Sequence, residues 1–268
     1  MSEMLKVEHI SKTFNPGTIN EKVALKDISL TMEEGEFLTV IGGNGAGKST
    51  MLNAIAGVWP VDTGSITIGG ENVTGIPDFQ RAHLIGRVFQ DPMMGTAPTM
   101  QIDENLALAK RRGEKRTLRW HTSKAEREKF YEQLKTLNLG LEDRLTQKVG
   151  LLSGGQRQAL TLLMATIRKP KLLLLDEHTA ALDPQTAKKV LELTKEIVER
   201  DHLTALMVTH NMRDAIATGN RLIMMYEGRI LVDVRGEEKK KLTVDELMKM
   251  FEAASGEEFD DDQTLLSK

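Results

Sequence analysis

A glycine-rich segment between residues 42 and 49 constrains the fold of this chain more than any other feature. It reads Gly-Gly-Asn-Gly-Ala-Gly-Lys-Ser and matches the pattern of the phosphate-binding loop, or P-loop. That pattern requires a strand before the loop and a helix after it. The apolar run Phe37 to Ile41 predicts the strand, and helical periodicity predicts a helix from Lys48 to Val58. A bare glycine turn would explain neither these flanks nor the Lys and Ser, so the segment predicts nucleotide binding.

Each residue type in the loop has a physical role. The glycines let successive backbone N–H groups turn toward a phosphate, and the start of the helix adds its dipole. Lys48 can reach the terminal phosphates, and the Ser49 hydroxyl is a candidate ligand of Mg²⁺. The predicted nucleotide contacts in this loop are Gly42, Asn44, Gly45, Ala46, Gly47, Lys48, Ser49 and Thr50.

Two acids end a second apolar strand. Leu172 to Leu175 is followed directly by Asp176 and Glu177. Neighbouring side chains on a strand point in opposite directions, so the two carboxylates face different surroundings. We expect Asp176 to hold the Mg²⁺ shell and Glu177 to act as general base toward an attacking water. A solvated strand end is the alternative, and the P-loop elsewhere in the chain argues against it.

A second turn suited to an anion opens another helix. Residues 152–156 read Leu-Ser-Gly-Gly-Gln, and Ser153 is a natural N-cap. The two glycines leave backbone amides exposed at the helix start. Alone, such a turn would be structural capping. Beside a P-loop it is a candidate phosphate cradle, and its predicted contacts are Ser153, Gly154, Gly155 and Gln156.

These three motifs occur in the order in which the ATP-binding cassette (ABC) family carries them. The chain resembles that family over about residues 4–235. The resemblance implies an ATPase that binds ATP and Mg²⁺. It also implies a head-to-tail homodimer, in which the turn at Ser153 faces the nucleotide of the other subunit.

Four further positions take their roles from the resemblance. Gln90 matches the Q-loop, which senses Mg²⁺ and the γ-phosphate, and is expected to act in catalysis and metal binding. His210 matches the catalytic switch histidine that contacts the γ-phosphate. Asp183 ends an Ala-Leu-Asp segment that matches the D-loop, which crosses to the other subunit. Phe14, just after the first predicted strand, occupies the position of an adenine-stacking aromatic. The alternatives are a strand cap for Gln90, a surface position for His210 and a core position for Phe14.

The sequence also departs from the family pattern. Gly43 stands where many members have Pro or Ser, which loosens the loop without removing its amides. His178 stands where Pro commonly follows the acidic pair. Two interpretations of His178 are open: a titration coupled to Glu177, or packing behind the site.

The alternation of strands and helices predicts the fold class. It implies a mostly parallel sheet covered on both faces. With the resemblance, we expect an α/β fold with a P-loop (RecA-like) core, an N-terminal antiparallel β part and an inserted helical subdomain. The predicted divisions are 1–91 for the N-terminal part of the ATP-binding core, 92–168 for the helical subdomain, 169–254 for the C-terminal part of the core, and 255–268 for an acidic disordered tail.

A basic run lies in the predicted helical subdomain. Its members are Lys110, Arg111, Arg112, Lys115, Arg116 and Arg119. One interpretation is a solvated helix face, and the other is a contact with anionic headgroups or acidic permease loops. The formal net charge of -3 disfavours nucleic acid as a partner.

Transport is not shown by the ATPase motifs themselves. No apolar run approaches the roughly 20 residues that span a bilayer, and Met1 to Lys6 contains no apolar signal core, so we expect any membrane role to depend on a partner. The resemblance to cassettes of bacterial importers implies a peripheral subunit at the cytoplasmic side of the cell membrane. Its implied partners are transmembrane permease subunits and, indirectly, an extracellular or periplasmic substrate-binding protein.

The implied cargo is a small solute such as an amino acid. A soluble ABC ATPase of the cluster-assembly type is the alternative. A translation or DNA-maintenance ATPase is disfavoured, because the sequence shows neither a second cassette nor a long coiled coil.

Overall fold

A computed structural model of the chain describes residues 2–114 and 122–255. The predicted tail beyond Ser255 lies outside these residues, as do Lys115, Arg116 and Arg119 of the basic run. Within the described ranges, no helix combines the length and apolar character that crossing a bilayer requires.

The described strands form an antiparallel sheet and a mostly parallel one. In chain order they are β1 (Glu3–Phe14), β2 (Lys22–Glu33), β3 (Phe37–Ile41), β4 (Thr63–Ile68), β5 (Glu71–Asn72), β6 (Ile85–Val88), β7 (Leu172–Asp176), β8 (Ala205–Val208), β9 (Arg221–Tyr226) and β10 (Arg229–Arg235). The first sheet has the order β2-β1-β4-β5. The second has the order β10-β9-β3-β8-β7-β6, in which only the β10–β9 pair is antiparallel. Both the antiparallel N-terminal part and the mostly parallel core sheet are confirmed.

Helices pack against the larger sheet, and two more helices pack on one of these and form a helical layer with it. The described helices are α1 (Lys48–Ala56), α2 (Asp78–Arg81), α3 (Ile102–Lys110), α4 (Lys124–Lys135), α5 (Gly154–Thr166), α6 (Pro184–Arg200), α7 (Met212–Ala217), α8 (Gly236–Lys241) and α9 (Val244–Ser255). Residues 92–168, predicted as the helical subdomain, contain α3, α4 and α5. Sequence patterns missed the short elements β5, α2, α7 and α8.

The four leucines of β7 show why this strand lies inside the sheet. Leu172 and Leu174 pack in the cluster that contains the residues of α1, whereas Leu173 and Leu175 pack in the cluster that contains the residues of α5. Alternating side chains thus fill the cores on both faces of the sheet. An uninterrupted apolar run is what such a strand requires.

The described part of the basic run makes internal contacts. Lys110 and Arg111 pair with Glu126 on α4 at 3.0 and 3.9 Å. Arg112 donates from Nη2 to the carbonyl oxygens of Ala165, in the last turn of α5, and of Arg168, just after it, both at 3.0 Å. These three cations therefore hold the helical layer together, which favours the structural interpretation of this half of the run.

Lys239 on α8 is a buried cation beside β3 and β9 of the larger sheet. Its side chain is 1% exposed. Its ammonium donates to the hydroxyl of Thr39 and to the carbonyl oxygens of Thr218 and Arg221. Burial lowers the pKa of Lys239 to about 8. Three oxygen acceptors satisfy the ammonium, but no carboxylate is among them.

The stability of the protein should depend on this lysine at alkaline pH. Between the folded pKa of about 8 and the ordinary lysine pKa of 10.5, the unfolded chain binds more protons at Lys239 than the folded chain does. Stability therefore rises with pH through this window, by at most about 3 kcal/mol. We expect urea unfolding at pH 7.5 and 9.5 to show wild type gaining stability relative to Lys239→Met as the pH rises. Lys240→Met, at the exposed neighbouring position, is the control and should follow wild type. Parallel pH curves for wild type and Lys239→Met would contradict the burial of this ammonium.

Candidate active site

The P-loop leaves the end of β3 in a backbone path that requires glycine. Gly42 has φ 148° and Gly47 has φ 103°. A Cβ atom would lie 2.2 Å from the carbonyl oxygen of Met225 at Gly42, and 2.6 Å from that of Ala24 at Gly47. The loop therefore packs closely against the backbones of β9 and β2, and α1 begins directly after the loop. No side chain caps the start of α1, so its first N–H groups are free for a ligand.

Lys48 is the first residue of α1 and turns back over the loop. Its Nζ donates to the carbonyl oxygens of Gly42 at 2.7 Å and Gly43 at 3.1 Å, and the residue is 7% exposed. Burial lowers the pKa of Lys48, while the nearby carboxylates of Glu177 and Asp176 oppose this shift. An ammonium is therefore held beside free helix-start amides, an arrangement suited to a polyphosphate.

A cleft of about 260 Å³ opens above the loop. Its lining residues are Phe14, Lys22, Ala24, Asn44, Gly45, Ala46, Gly47, Lys48, Ser49, Thr50 and Glu177. The structure thus brings together the predicted loop contacts other than Gly42, the candidate adenine-stacking Phe14 and the candidate base. Phe14 is the last residue of β1 and not the residue after it. Its ring packs edge-on against the Trp59 ring, with the two ring centroids 5.0 Å apart. Sequence analysis missed Lys22 and Ala24, since no motif marks them.

Gln90 and Asp176 line a neighbouring cleft of about 690 Å³. There Arg87 of β6 lies between two partners: its Nη2 is 3.4 Å from Asp176 Oδ2 and 2.7 Å from Asn53 Oδ1. Burial raises the pKa of Asp176, and Arg87 opposes that shift. Arg87 also escaped the sequence analysis, although a lone cation within an apolar strand is a usable signal.

The donor set fits Mg²⁺ only together with a nucleotide. In the described part of the chain, no cluster of three or more His, Cys, Asp or Glu side chains could hold a metal by itself. Mg²⁺ is usually bound by one or two carboxylates and by substrate phosphates, with several waters retained. Ser49 in the first cleft and Asp176 with Gln90 in the second supply such a sparse set.

Glu177 sits at the end of β7 in a strained backbone conformation and faces His210. Its φ is 41°, in the left-handed region that side chains other than glycine rarely adopt. His210 Nδ1 lies 3.7 Å from Glu177 Oε2. His210 lowers the pKa of Glu177, and Glu177 in turn raises the pKa of His210. The candidate base is therefore ionised and paired with the candidate switch histidine.

His178 turns away from this pair and into the core. Its ring is 2% exposed, and its Nε2 lies 3.0 Å from the hydroxyl oxygen of Thr194 on α6. Burial lowers the pKa of His178 to about 4. The structure favours packing behind the site over a titration coupled to Glu177.

The turn at Ser153 does not reach either cleft of its own chain. Ser153 accepts from Gln156 N at 3.3 Å, and Gln156 Oε1 accepts from Ser153 N at 3.2 Å, so the predicted cap is confirmed. A Cβ at Gly155 would lie 2.2 Å from Thr186 Cγ2, which packs this turn against α6. Asp183 Oδ1 accepts from the backbone N of the same Thr186 at 3.1 Å. Among the described lining residues of the two clefts, none belongs to residues 153–156.

The comparisons with known proteins agree with this geometry. The profile of the family described as ABC transporter matches residues 25–180. The chain is 43% identical to a tyrosine transport ATP-binding protein of Clostridioides difficile, over 94% of this chain and 100% of that one. It is 34% identical to an aliphatic sulfonates import ATP-binding protein of Albidiferax ferrireducens, over 86% of this chain and 74% of that one. Among solved structures, it is similar to a dimeric, post-hydrolysis ATP-binding cassette bound to ADP and Pi, with a TM-score of 0.72 and 31% identity over 87% of this chain and 98% of that one.

Removing the P-loop ammonium should abolish tight nucleotide binding without unfolding the chain. In Lys48→Ala we expect the affinity for Mg-ATP to fall at least about 10-fold, the effect of losing a charge-assisted contact. The melting temperature should stay near wild type, because Lys48 makes no carboxylate pair and fills no apolar core. Lys26→Ala is the matched control: Lys26 pairs with Glu227 at 3.6 Å and does not line the cleft. Equilibrium nucleotide titration and thermal melting would be measured on the same samples, and unchanged affinity in Lys48→Ala would contradict the site.

Proposed function

The chain belongs to the ABC transporter family, and from this premise we propose that it is the ATP-hydrolysing subunit of an importer whose membrane permease is a separate protein. One observation carries the proposal. The P-loop ammonium of Lys48 and the carboxylate of Glu177 line one cleft, and the imidazole of His210 lies 3.7 Å from that carboxylate. The relatives named above carry transport or import in their names, which supports an importer subunit and not the cluster-assembly alternative.

Within this proposal, each group of residues has a separate role in ATP hydrolysis. Phe14 stacks on adenine, and the P-loop amides with Lys48 bind the phosphates. Ser49, Asp176 and Gln90 would hold Mg²⁺, which when bound supplies positive charge to the phosphates. Glu177 takes a proton from the attacking water, and His210 contacts the γ-phosphate.

The turn at Ser153 acts on the nucleotide of a second copy. Its position away from the cleft of its own chain supports this assignment, as does the dimeric state of the similar cassette. Two copies arranged head to tail would place each turn over the other copy's P-loop, which is a symmetric, closed arrangement. Asp183, which caps α6 beside this turn, is then at the subunit boundary.

We assign the permease contact to the larger cleft. Val58 and Met94 line it and are 41% and 67% exposed, an apolar surface that a partner can cover. Phe79, 72% exposed, follows the lining residue Asp78. Gln90 lines the same cleft, so a permease segment bound here would contact a residue proposed to sense the metal. The chain is then peripheral, at the cytoplasmic side of the membrane.

An aromatic amino acid is the proposed cargo, delivered by a substrate-binding protein outside the membrane. The tyrosine transport relative at 43% identity supports this choice. Co-purification of the permease, followed by cargo-stimulated ATPase activity in proteoliposomes, tests it. Stimulation by tyrosine with its binding protein, and not by sulfonates, is the expected result.

Glu177→Gln should separate binding from hydrolysis. The change keeps size and hydrogen bonding but removes the base, so hydrolysis should fall on the order of 10² to 10⁴-fold. ATP should still bind and, when not consumed, should stabilise a dimer that dissociates when nucleotide is removed. Hydrolysis assays and size-exclusion chromatography at saturating Mg-ATP would be compared. A variant that is inactive yet monomeric would contradict the ATP-stabilised head-to-tail dimer. A variant that hydrolyses ATP at the parent rate would contradict the assignment of Glu177 as the base.

Mixed dimers test whether the site is shared between copies. Gly154→Asp is the partner variant, because a Cβ at Gly154 would lie 3.3 Å from Leu182 Cδ2, whereas a Cβ at Gly155 would collide with Thr186. Its carboxylate should repel a phosphate at the turn. In a dimer of Lys48→Ala with Gly154→Asp, one composite site keeps both intact halves. We expect mixing to restore part of the ATPase rate above that of either parent, and no gain would argue for a site complete in one chain.

A further inference from the structure

The contact between His178 and Thr194 has no part in the site described above, yet it begins one residue after the candidate base. Both side chains are buried, at 2% and 0% exposed. His178 belongs to the turn that follows β7, and Thr194 lies in the middle of α6. The contact is a buried polar tie between that turn and the helix behind it.

The hydrogen bonds around Thr194 fix the direction of this contact. Thr194 donates its one hydroxyl proton to the carbonyl oxygen of Val190 at 2.8 Å, one helical turn earlier. Its oxygen can therefore only accept from His178 Nε2 at 3.0 Å. His178 is thus the Nε2–H tautomer and the donor. A buried donor that lost this acceptor would remain unsatisfied, so the tie is costly to break.

The backbone of Glu177 needs such a tie. Its φ of 41° is unfavourable for a residue with a Cβ and persists only where the surroundings hold it. On one side, Glu177 N donates to the carbonyl oxygen of Val208 on β8 at 3.0 Å. On the other side, its carbonyl oxygen accepts from Ala180 N at 2.9 Å within the turn itself. The side chain of His178 ties that turn to α6.

We propose that His178 is a positioning residue for Glu177, and that its hydrogen bond to Thr194 anchors residues 177–180 to α6 and sets where the Glu177 carboxylate stands. The inference rests on the proposed role of Glu177 as base. A base displaced by about 1 Å can lose on the order of 10²-fold in rate, although the nucleotide contacts remain intact. The role is therefore visible in kcat and absent from nucleotide affinity.

The experiment removes and restores the hydrogen bond from both ends. His178→Leu removes the donor and Thr194→Val removes the acceptor with little change in shape. His178→Gln places an amide N–H where Nε2–H was, and Thr194→Ser keeps the hydroxyl. Thr166→Val is the matched control, because Thr166 is a buried helical threonine whose hydroxyl also bonds one turn back, to Leu162 O at 2.9 Å. For each variant, kcat, nucleotide Kd and melting temperature would be measured.

We expect His178→Leu and Thr194→Val to lower kcat about 10- to 100-fold with nucleotide Kd near the wild-type value. The double variant should be no slower than the slower single variant, because one bond is lost in each case. His178→Gln and Thr194→Ser should recover much of the rate, and Thr166→Val should keep it. If His178→Leu does not fold, the comparison of Thr194→Val with Thr194→Ser is sufficient to test the proposal.

Two results overturn the proposal, and two comparisons with Glu177→Gln separate it from the proposed function. Unchanged kcat in folded His178→Leu and Thr194→Val would show that the tie does not position the base. An equal loss of kcat in Thr166→Val would show that any buried hydroxyl has the same effect. If Glu177→Gln hydrolyses ATP at the parent rate, the base assignment itself fails. If Glu177→Gln is inactive while His178→Leu is not impaired, only the positioning role fails.

Discussion

The hydrogen-bonded ladder of β3, β8, β7 and β6 determines where the chemistry of this chain can occur. These strands are parallel neighbours, so their carboxyl ends meet at one edge of the sheet. Lys48 follows β3, Glu177 follows β7, and His210 follows β8 by two residues. Residues more than 100 positions apart thus share one cleft. A slip of β7 by one residue would exchange the faces of its leucines and turn both acids away from their partners.

The same edge concentrates ionisable groups, and the structure pairs each acid with a basic side chain. Asp176 has Arg87 at 3.4 Å, and Glu177 has His210 at 3.7 Å, with Lys48 acting on both. These pairs reduce the penalty of keeping carboxylates partly buried in the absence of a ligand. A polyphosphate is attracted to the same basic side chains. Under the proposed function, nucleotide binding therefore competes with the pairs that hold the acids, which links occupancy of the P-loop to the electrostatics of the base.

Sequence patterns predicted the parts of this structure that depend on local rules. The boundaries of β3 and the cap at Ser153 were predicted because an apolar run and a helix cap each involve residues a few positions apart. The elements β5, α2, α7 and α8 were missed because they have two to six residues, too few to show a period.

Contacts between distant segments could not be predicted either. Arg87 and Asp176 are 89 positions apart, and His178 and Thr194 are joined only because a turn and a helix pack together. For His178 the sequence showed a departure from the family pattern and left two interpretations open. The direction of its ring decided between them, and that direction depends on the tertiary structure. A site motif therefore identifies the reacting groups, whereas the residues that hold those groups in place become visible only in the folded chain.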